Sequence, residues 1–164
     1  MGVTVNVNMR SVVHKSSSGI ATAFPDVCKT PVPPSPSPIP IPYPNISKSS
    51  DTSKGSKKVK MDGNPIMLKN SEFSMSSGDE AGTAGGGIIT NKQKGPAKFI
   101  MYSFDVKVEG KNVPRQLDIM MHNASAISNT PPFPCLQPGG MGPLIVQDEE
   151  EKGEIVKAEW VIKK

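Results

Sequence analysis

Proline occupies every second position from Pro36 to Pro44. Because proline has no backbone N–H and a fixed φ, this segment can form neither a helix nor a central strand. It must run extended, either as polyproline II or along the edge of a sheet. The intervening residues include Ile39, Ile41 and Tyr43, and linkers rarely place apolar side chains so regularly. We therefore predict a rigid extended strap laid over a domain, in preference to a linker or a partner-recognition tract.

The composition disfavours helices. Of 164 residues, 15 are glycine and 17 are proline, and only 35% are hydrophobic and 5% aromatic. Few windows are long enough for a helix, and a large aliphatic core is excluded. This length suits one domain, and the composition predicts a mostly β fold with many turns.

An internal repeat predicts β-hairpins. Val59–Ile66 aligns with Val106–Val113 at an offset of 47 residues, and each copy has an acid–glycine pair at its centre. Such a pair between two strand-like segments is typical of a tight hairpin. Val5–Val12 fits the same frame at an offset of 54, with Asn8 and Met9 at the turn. Met9 lacks the freedom of glycine at positive φ, so the first copy lacks the glycine signal.

Two further segments have recognisable patterns. Residues 76–87 are glycine-rich, which predicts a packed loop where backbones approach closely. Within this loop, Asp79 and Glu80 are adjacent acids, which we interpret as exposed. Phe99–Val108 is the best strand candidate in the chain and is predicted to form one strand.

Charge and motifs argue against two functional classes. The net charge is +4, but Arg10 and Arg115 are the only arginines, so a nucleic-acid partner is not expected. The chain lacks a nucleophile elbow, a phosphate-binding glycine loop and a His-Glu-x-x-His motif. The sequence therefore predicts a protein that is not an enzyme.

The histidines and cysteines are few enough to form one set. They are His14, Cys28, His122 and Cys135. Two imidazoles and two thiolates would complete a closed, structural zinc site, and a core-poor domain would gain stability from it. The alternative is two surface histidines and two buried thiols that pack as small apolar groups.

Eight motifs, read together and in order, closely resemble the PAAR-like (Tox-PAAR-like) family over about residues 1–140. They are Phe24–Pro31, Pro40–Ile46, Ser49–Thr52, Gly55–Val59, Asp62–Pro65, Ser77–Gly82, Tyr102–Val106 and His122–Asn123. The resemblance implies a small β cone that caps the trimeric VgrG spike of type VI secretion or a related contractile injector. It also implies a zinc ion at the apex of the cone.

The resemblance assigns the zinc ligands as His14, Cys28, His122 and Cys135. Cys135 lies at the edge of the match, and Asp26 or Asp118 could replace it as the fourth ligand. One chain would cap each spike trimer, with its three hairpins facing three equivalent subunit edges. The tip would contact the target membrane only transiently while piercing it.

The predicted organisation is a conical domain at residues 1–142 and an acidic, then amphipathic, tail at residues 143–164. The tail, with Trp160, is expected either to recruit an effector or chaperone or to pack on the cone. No apolar run reaches the length of a membrane span and no signal peptide is recognised, so we expect a cytoplasmic protein that is later injected. Two rival functions remain open, a Pro-rich interaction module and a zinc-dependent hydrolase.

Overall fold

Short β-strands and one turn of 3-10 helix, Ser49–Asp51, make up residues 3–138, which are the part of the chain that this computed structural model describes. The strands are β1 Asn6–Val7, β2 Arg10–Ser11, β3 Ile20–Thr30, β4 Ile39–Lys48, β5 Thr52–Ser53, β6 Lys60–Met61, β7 Asn64–Pro65, β8 Glu72–Phe73, β9 Gly86–Gly87, β10 Ala97–Phe99, β11 Lys107–Val108, β12 Lys111–Asn112, β13 Ile119–Met121 and β14 Phe133–Leu136. The predicted mostly β class is therefore confirmed. The predicted tail at 143–164 and the last residues of the predicted 1–142 domain lie outside the described residues.

The proline-rich segment is the edge strand of the largest sheet, whose order is β4-β3-β14-β13-β10-β8-β5, with β9 paired to β3. The N–H groups of successive strand residues point to opposite sides. Ile46 bonds outward, exchanging backbone hydrogen bonds of 2.7 and 2.8 Å with Ser77. Pro40, Pro42 and Pro44 share the parity of Ile46, so their missing N–H groups fall on the open edge. The predicted strap is thus an edge strand whose outer side lacks backbone donors at these three prolines, which disfavours pairing with another chain.

The three predicted hairpins all form, and they match residue for residue. They are β1–β2, β6–β7 and β11–β12, each closed by a two-residue turn. Both residues of every turn have positive φ, as a type I′ turn requires. Asn8 and Met9 have φ of 51° and 67°, close to the 52° and 75° of Asp62 and Gly63. The first hairpin forms although it lacks the turn glycine.

The hairpins share one apolar cluster, in which the positions of Val7 and Val12 are buried in all three copies. Its members are Val5, Val7, Val12, Met61, Ile66, Leu68, Val106, Val108 and Val113. The first and third repeats contribute three of these side chains each, and the second contributes Met61 and Ile66, with Leu68 just after it. No hairpin therefore has a core of its own. The shared cluster explains why three short ribbons can be stable together when a single two-stranded hairpin is marginal in water.

The hairpins are also clasped to one another in a ring. The first turn residue of each hairpin forms a hydrogen bond with the segment at the start of the first strand of a neighbouring hairpin. The three contacts are at equivalent positions. The pairs are Asp62 with Thr4, Glu109 with the backbone of 57–59, and Asn8 with Asp105. The second hairpin thus contacts the first, the third contacts the second, and the first contacts the third. The three contacts close a ring with approximate threefold symmetry.

Replacing Met9 by glycine is expected to stabilise the protein by about 0.5–1 kcal/mol. Relief of the positive φ is worth roughly 1–2 kcal/mol, and the freer unfolded chain takes back part of it. The matched control is Gly110→Met, at the equivalent turn position, where φ is 78° and no atom lies within 4 Å of an added Cβ. Urea unfolding should shift in opposite directions for the two variants, and equal shifts would contradict the turn assignment.

The clasps make the hairpin ring sensitive to acid. Burial raises the pKa of Glu109, but the amides of Val59, Lys58 and Lys57 outweigh it and hold the pKa below the ordinary 4.5. Burial likewise raises the pKa of Asp62, but hydrogen bonds from His14 and Thr4 hold it below 3.8. A lowered folded pKa adds stability that is fully present above the unfolded pKa and is lost as the pH falls through the folded one.

We therefore expect the urea midpoint to fall as the pH drops below 4.5, the ordinary value for Glu109. Glu109→Gln should reduce this loss, because the amide does not titrate in this range. Glu80→Gln is the control, since that carboxylate accepts the Gly78 N–H and takes no part in the hairpin clasps. An acid dependence that is identical in Glu109→Gln and the wild type would rule out the clasp as its source.

The predicted single strand at Phe99–Val108 is wrong. Strand β10 ends at Phe99 and β11 begins at Lys107. Between them the Ser103 hydroxyl accepts the Val106 N–H at 3.0 Å and donates to Asp105 at 2.7 Å. This local side-chain turn replaces the pairing that a continuous strand would need. Within residues 3–138, no helix is long and apolar enough to cross a membrane.

Candidate metal centre

Three buried side chains place donor atoms close enough to share one metal ion. Asp26, Cys28 and Asp79 offer two carboxylate oxygens and one sulfur, all within 4.8 Å of one another. Asp26 and Cys28 are two residues apart on β3, so both side chains point to the same buried face. Among residues 3–138 this is the one group of three or more His, Cys, Asp or Glu donors that is so compact.

Asp79 reaches this group because the glycine-rich loop packs against β3 and β4. Gly78 has a φ of +129°, and a Cβ on it would lie 2.0 Å from the Pro44 carbonyl oxygen. A Cβ on Gly82 would lie 2.5 Å from the Cys28 Cβ. The predicted close approach of backbones in this loop is confirmed. The interpretation of Asp79 as an exposed acid is wrong, because the loop buries it completely.

Neutral donors surround the two carboxylates. Asp26 accepts hydrogen bonds from Asn45 at 2.7 Å, from Asn123 at 3.2 Å and from Asn129. Asp79 accepts the Lys94 backbone N–H at 3.1 Å. The Cys28 thiol lies 3.5 Å from Asp26 and 3.8 Å from Asp79.

No charged side chain within residues 3–138 pairs with Asp26 or Asp79. Burial, followed by the charges of Asp26 and Asp79, raises the pKa of Cys28 to about 12. Burial and the proximity of Asp26 also raise the pKa of Asp79. Buried acids without a counter-charge are costly, and a cation between them would remove that cost.

His122 adjoins this group through one amide. Its Nδ1 lies 3.3 Å from Asn45 Oδ1, and the Asn45 amide nitrogen donates to Asp26. Burial lowers the pKa of His122 to about 4, so the ring is neutral. Its Nε2 is buried and has no hydrogen-bond partner within the described residues. Zinc binds cysteine sulfur, carboxylate oxygen and neutral imidazole, so the residues present fit such an ion.

The structure does not gather the four predicted ligands into one group. His14 lies in the hairpin ring, where Nδ1 accepts the Ser16 N–H at 3.1 Å and Nε2 donates to Asp62 at 3.1 Å. Cys135 lies in a second apolar cluster with Val13 and six other residues, which are Ala21, Met67, Phe73, Ala97, Phe99 and Met120. Burial, followed by the charge of Asp118, raises the pKa of the Cys135 thiol to about 12.

Of the two alternatives to Cys135, the structure favours one. Asp26 lies beside Cys28, as described above. Asp118 is instead held by two guanidinium groups, at 2.9 Å from Arg115 and 3.1 Å from Arg10. Sequence reasoning missed Asp79, and the signal that could have found it is its position between Gly78 and Gly82, which allow a loop to pack tightly.

Comparison with known proteins gives the family. A model described as a toxin PAAR-like domain matches residues 19–131. The chain belongs to the Tox-PAAR-like family. DNase toxin Tse7 of Pseudomonas aeruginosa is 43% identical over 162 residues, covering 93% of this chain and 42% of Tse7. The chain therefore spans less than half the length of this relative. No solved structure matches the chain.

The relative corrects one expectation from the sequence and weakens another. The prediction that the protein is not an enzyme is overturned, because a protein this similar is named as a DNase toxin. The expected absence of a nucleic-acid partner also loses its support, because a DNase acts on DNA.

Proposed function

We propose that this Tox-PAAR-like chain caps the blunt end of a trimeric VgrG-like spike, one chain per trimer, in a type VI or related contractile system. Before assembly it would be cytoplasmic, and it would then be injected with the spike, meeting the target membrane only transiently. The observation that carries this proposal is the closed ring of three hairpins with equal register.

The ring suits a trimeric partner for a geometric reason. One chain can meet three identical subunits only if it presents three similar surfaces. Asn6, Lys60 and Lys107 occupy one equivalent position in the three hairpins, and each pairs in the same register. Strand pairing with the exposed edges of such hairpins would also cover unpaired edges of the spike.

We propose further that a structural zinc ion binds at Asp26, Cys28 and Asp79. Such an ion would tie β3 to the glycine-rich loop in a domain with small apolar clusters. His122 would support this site through Asn45.

The stoichiometry of the complex tests the capping proposal. The purified chain is mixed with a VgrG-type trimer and the mass of the complex is measured by light scattering after gel filtration. One chain per trimer is expected. Three chains per trimer, or no complex, would contradict the use of the threefold ring.

Variants connect binding to the ring. Asp62→Ala combined with Glu109→Ala removes two of the three clasps and should weaken spike binding. The control is Glu72→Gln, which alters a carboxylate that pairs with Lys54 and Lys98 on the larger sheet. Circular dichroism of each variant separates loss of binding from loss of folding.

DNA is the proposed final target, because the similar protein Tse7 is named as a DNase toxin. The proposal is that spike-dependent delivery of this protein degrades DNA in the recipient cell. The test compares recipient DNA after contact with attackers that do or do not produce the chain, in strains with and without a working spike. Recipient DNA that stays intact in all cases would contradict it. Incubation of the purified chain with supercoiled plasmid and a divalent metal tests for activity within these 164 residues.

A further inference from the structure

The largest sheet has an apolar face that the described residues leave open. Ile20 and Leu136 are cross-strand partners on β3 and β14, so their side chains share a face. Phe24 follows on β3, and Ile46 joins from β4 opposite Thr22. Phe24 is 53% exposed and Leu136 is 56% exposed, whereas the residues on the reverse face, such as Ala21, are fully buried. We call this surface the outer face, and it consists of Ile20, Phe24, Ile46, Pro134 and Leu136.

A groove of about 490 Å³ runs along the outer face. Its walls include Ile20, Phe133 and Leu136, and they also include Pro138, the last described residue. A second hollow of about 270 Å³ shares Ser18 and Ile20 with the groove and is lined by the exposed residues Lys15 and Lys48. Apolar and basic walls therefore adjoin in one continuous surface.

We propose that the C-terminal segment 143–164 of this same chain docks on the outer face. Its apolar residues, centred on Trp160, would fill the groove, and its acidic run Asp148–Glu151 would lie against Lys15 and Lys48. This proposal is independent of spike capping, because the outer face belongs to the large sheet and the ring belongs to the hairpins.

Three observations choose this occupant over others. The described part of the chain ends at Pro138, which itself lines the groove, so the segment begins five residues further along the chain. The ten residues from Pro138 to Asp148 can span at most about 35 Å, which exceeds the width of the few strands involved. The acidic run and the two lysines have opposite charge, and the apolar residues Ile155, Val156, Val161 and Ile162 match an apolar groove.

Trp160 is the single tryptophan of the chain, so its fluorescence reports directly on this segment. In the full chain we expect an emission maximum that is blue-shifted from that of the urea-unfolded protein, and weak quenching by acrylamide. Leu136→Asp should move both values toward those of the unfolded protein. The matched control is Ile127→Asp, at an apolar side chain that is 55% exposed outside the outer face. Lys48→Glu should give a smaller change in the same direction, and added salt should reproduce it.

A second variant, Trp160→Ala, tests the proposal even if Leu136→Asp does not fold. Trp160→Ala should raise the binding of a hydrophobic dye, because the groove opens, while the circular dichroism spectrum stays unchanged. Three results would overturn the proposal. They are solvent-exposed emission in the wild type, blue-shifted emission that Leu136→Asp leaves unchanged, and blue-shifted emission that appears only at high protein concentration or on adding an effector. The last would assign the face to a second copy or to a separate partner.

Discussion

Replacing Arg115 by alanine is expected to lower the free energy of unfolding by about 3 kcal/mol, the lower end of the range for breaking a buried ion pair. The guanidinium is buried and donates to both oxygens of Asp118, at 2.9 and 3.0 Å, and to Asn8 at 2.7 Å. Its removal leaves the fully buried Asp118 carboxylate with one charged partner in the described residues, the partly exposed Arg10 at 3.1 Å, besides the backbone N–H of residue 115. Arg115 also connects the turn of the first hairpin to the segment after the third, so the ring loses a support.

Urea unfolding of two variants measures this effect against a surface pair. Lys54 forms an ion pair of 3.0 Å with Glu72, but its side chain is largely exposed. Lys54→Ala should therefore cost no more than about 1 kcal/mol. If Arg115→Ala costs no more than Lys54→Ala, the buried pair does not hold the ring together.

The hairpins could be predicted from the sequence because their signal is local. Each hairpin lies within one eight-residue copy of the repeat, and in two of the copies an acid–glycine pair marks the turn. The proline strand was also predictable, since the prolines permit few conformations. The order of strands in the large sheet was not, because β14 lies beside β3 although about a hundred residues separate them.

The candidate metal centre was only partly predictable, for a related reason. Cys28 and Asp26 are near in sequence, and both were recognised. Asp79 enters only because a loop without side chains at Gly78 and Gly82 can press against β3 and β4, which is a tertiary effect. Counting histidines and cysteines assumed that rare residues converge, yet Cys135 packs as a small apolar group in a separate cluster.

Zinc should stabilise the wild-type chain by about 2.7 kcal/mol when free metal is a hundred times its dissociation constant, and this gain should vanish in Asp79→Asn. The reason is that Asp26, Cys28 and Asp79 form one compact group, and removing one charged donor opens the site. Metal content after dialysis should fall from about one ion per chain to near none in Cys28→Ser. Thermal unfolding with and without zinc, together with metal analysis, measures both effects.

Two matched variants decide between this centre and the ligand set predicted from the sequence. Cys135→Ser alters a thiol in the second apolar cluster, and His14→Ala alters an imidazole that contacts Asp62 in the hairpin ring. If the buried acid–thiol group holds the metal, both variants should keep zinc content while Cys28→Ser loses it. Loss of zinc in Cys135→Ser, with zinc retained in Asp79→Asn, would instead favour a site built from the histidines and cysteines. Comparing the two serine variants is informative because each removes one buried thiol whose pKa is raised to about 12.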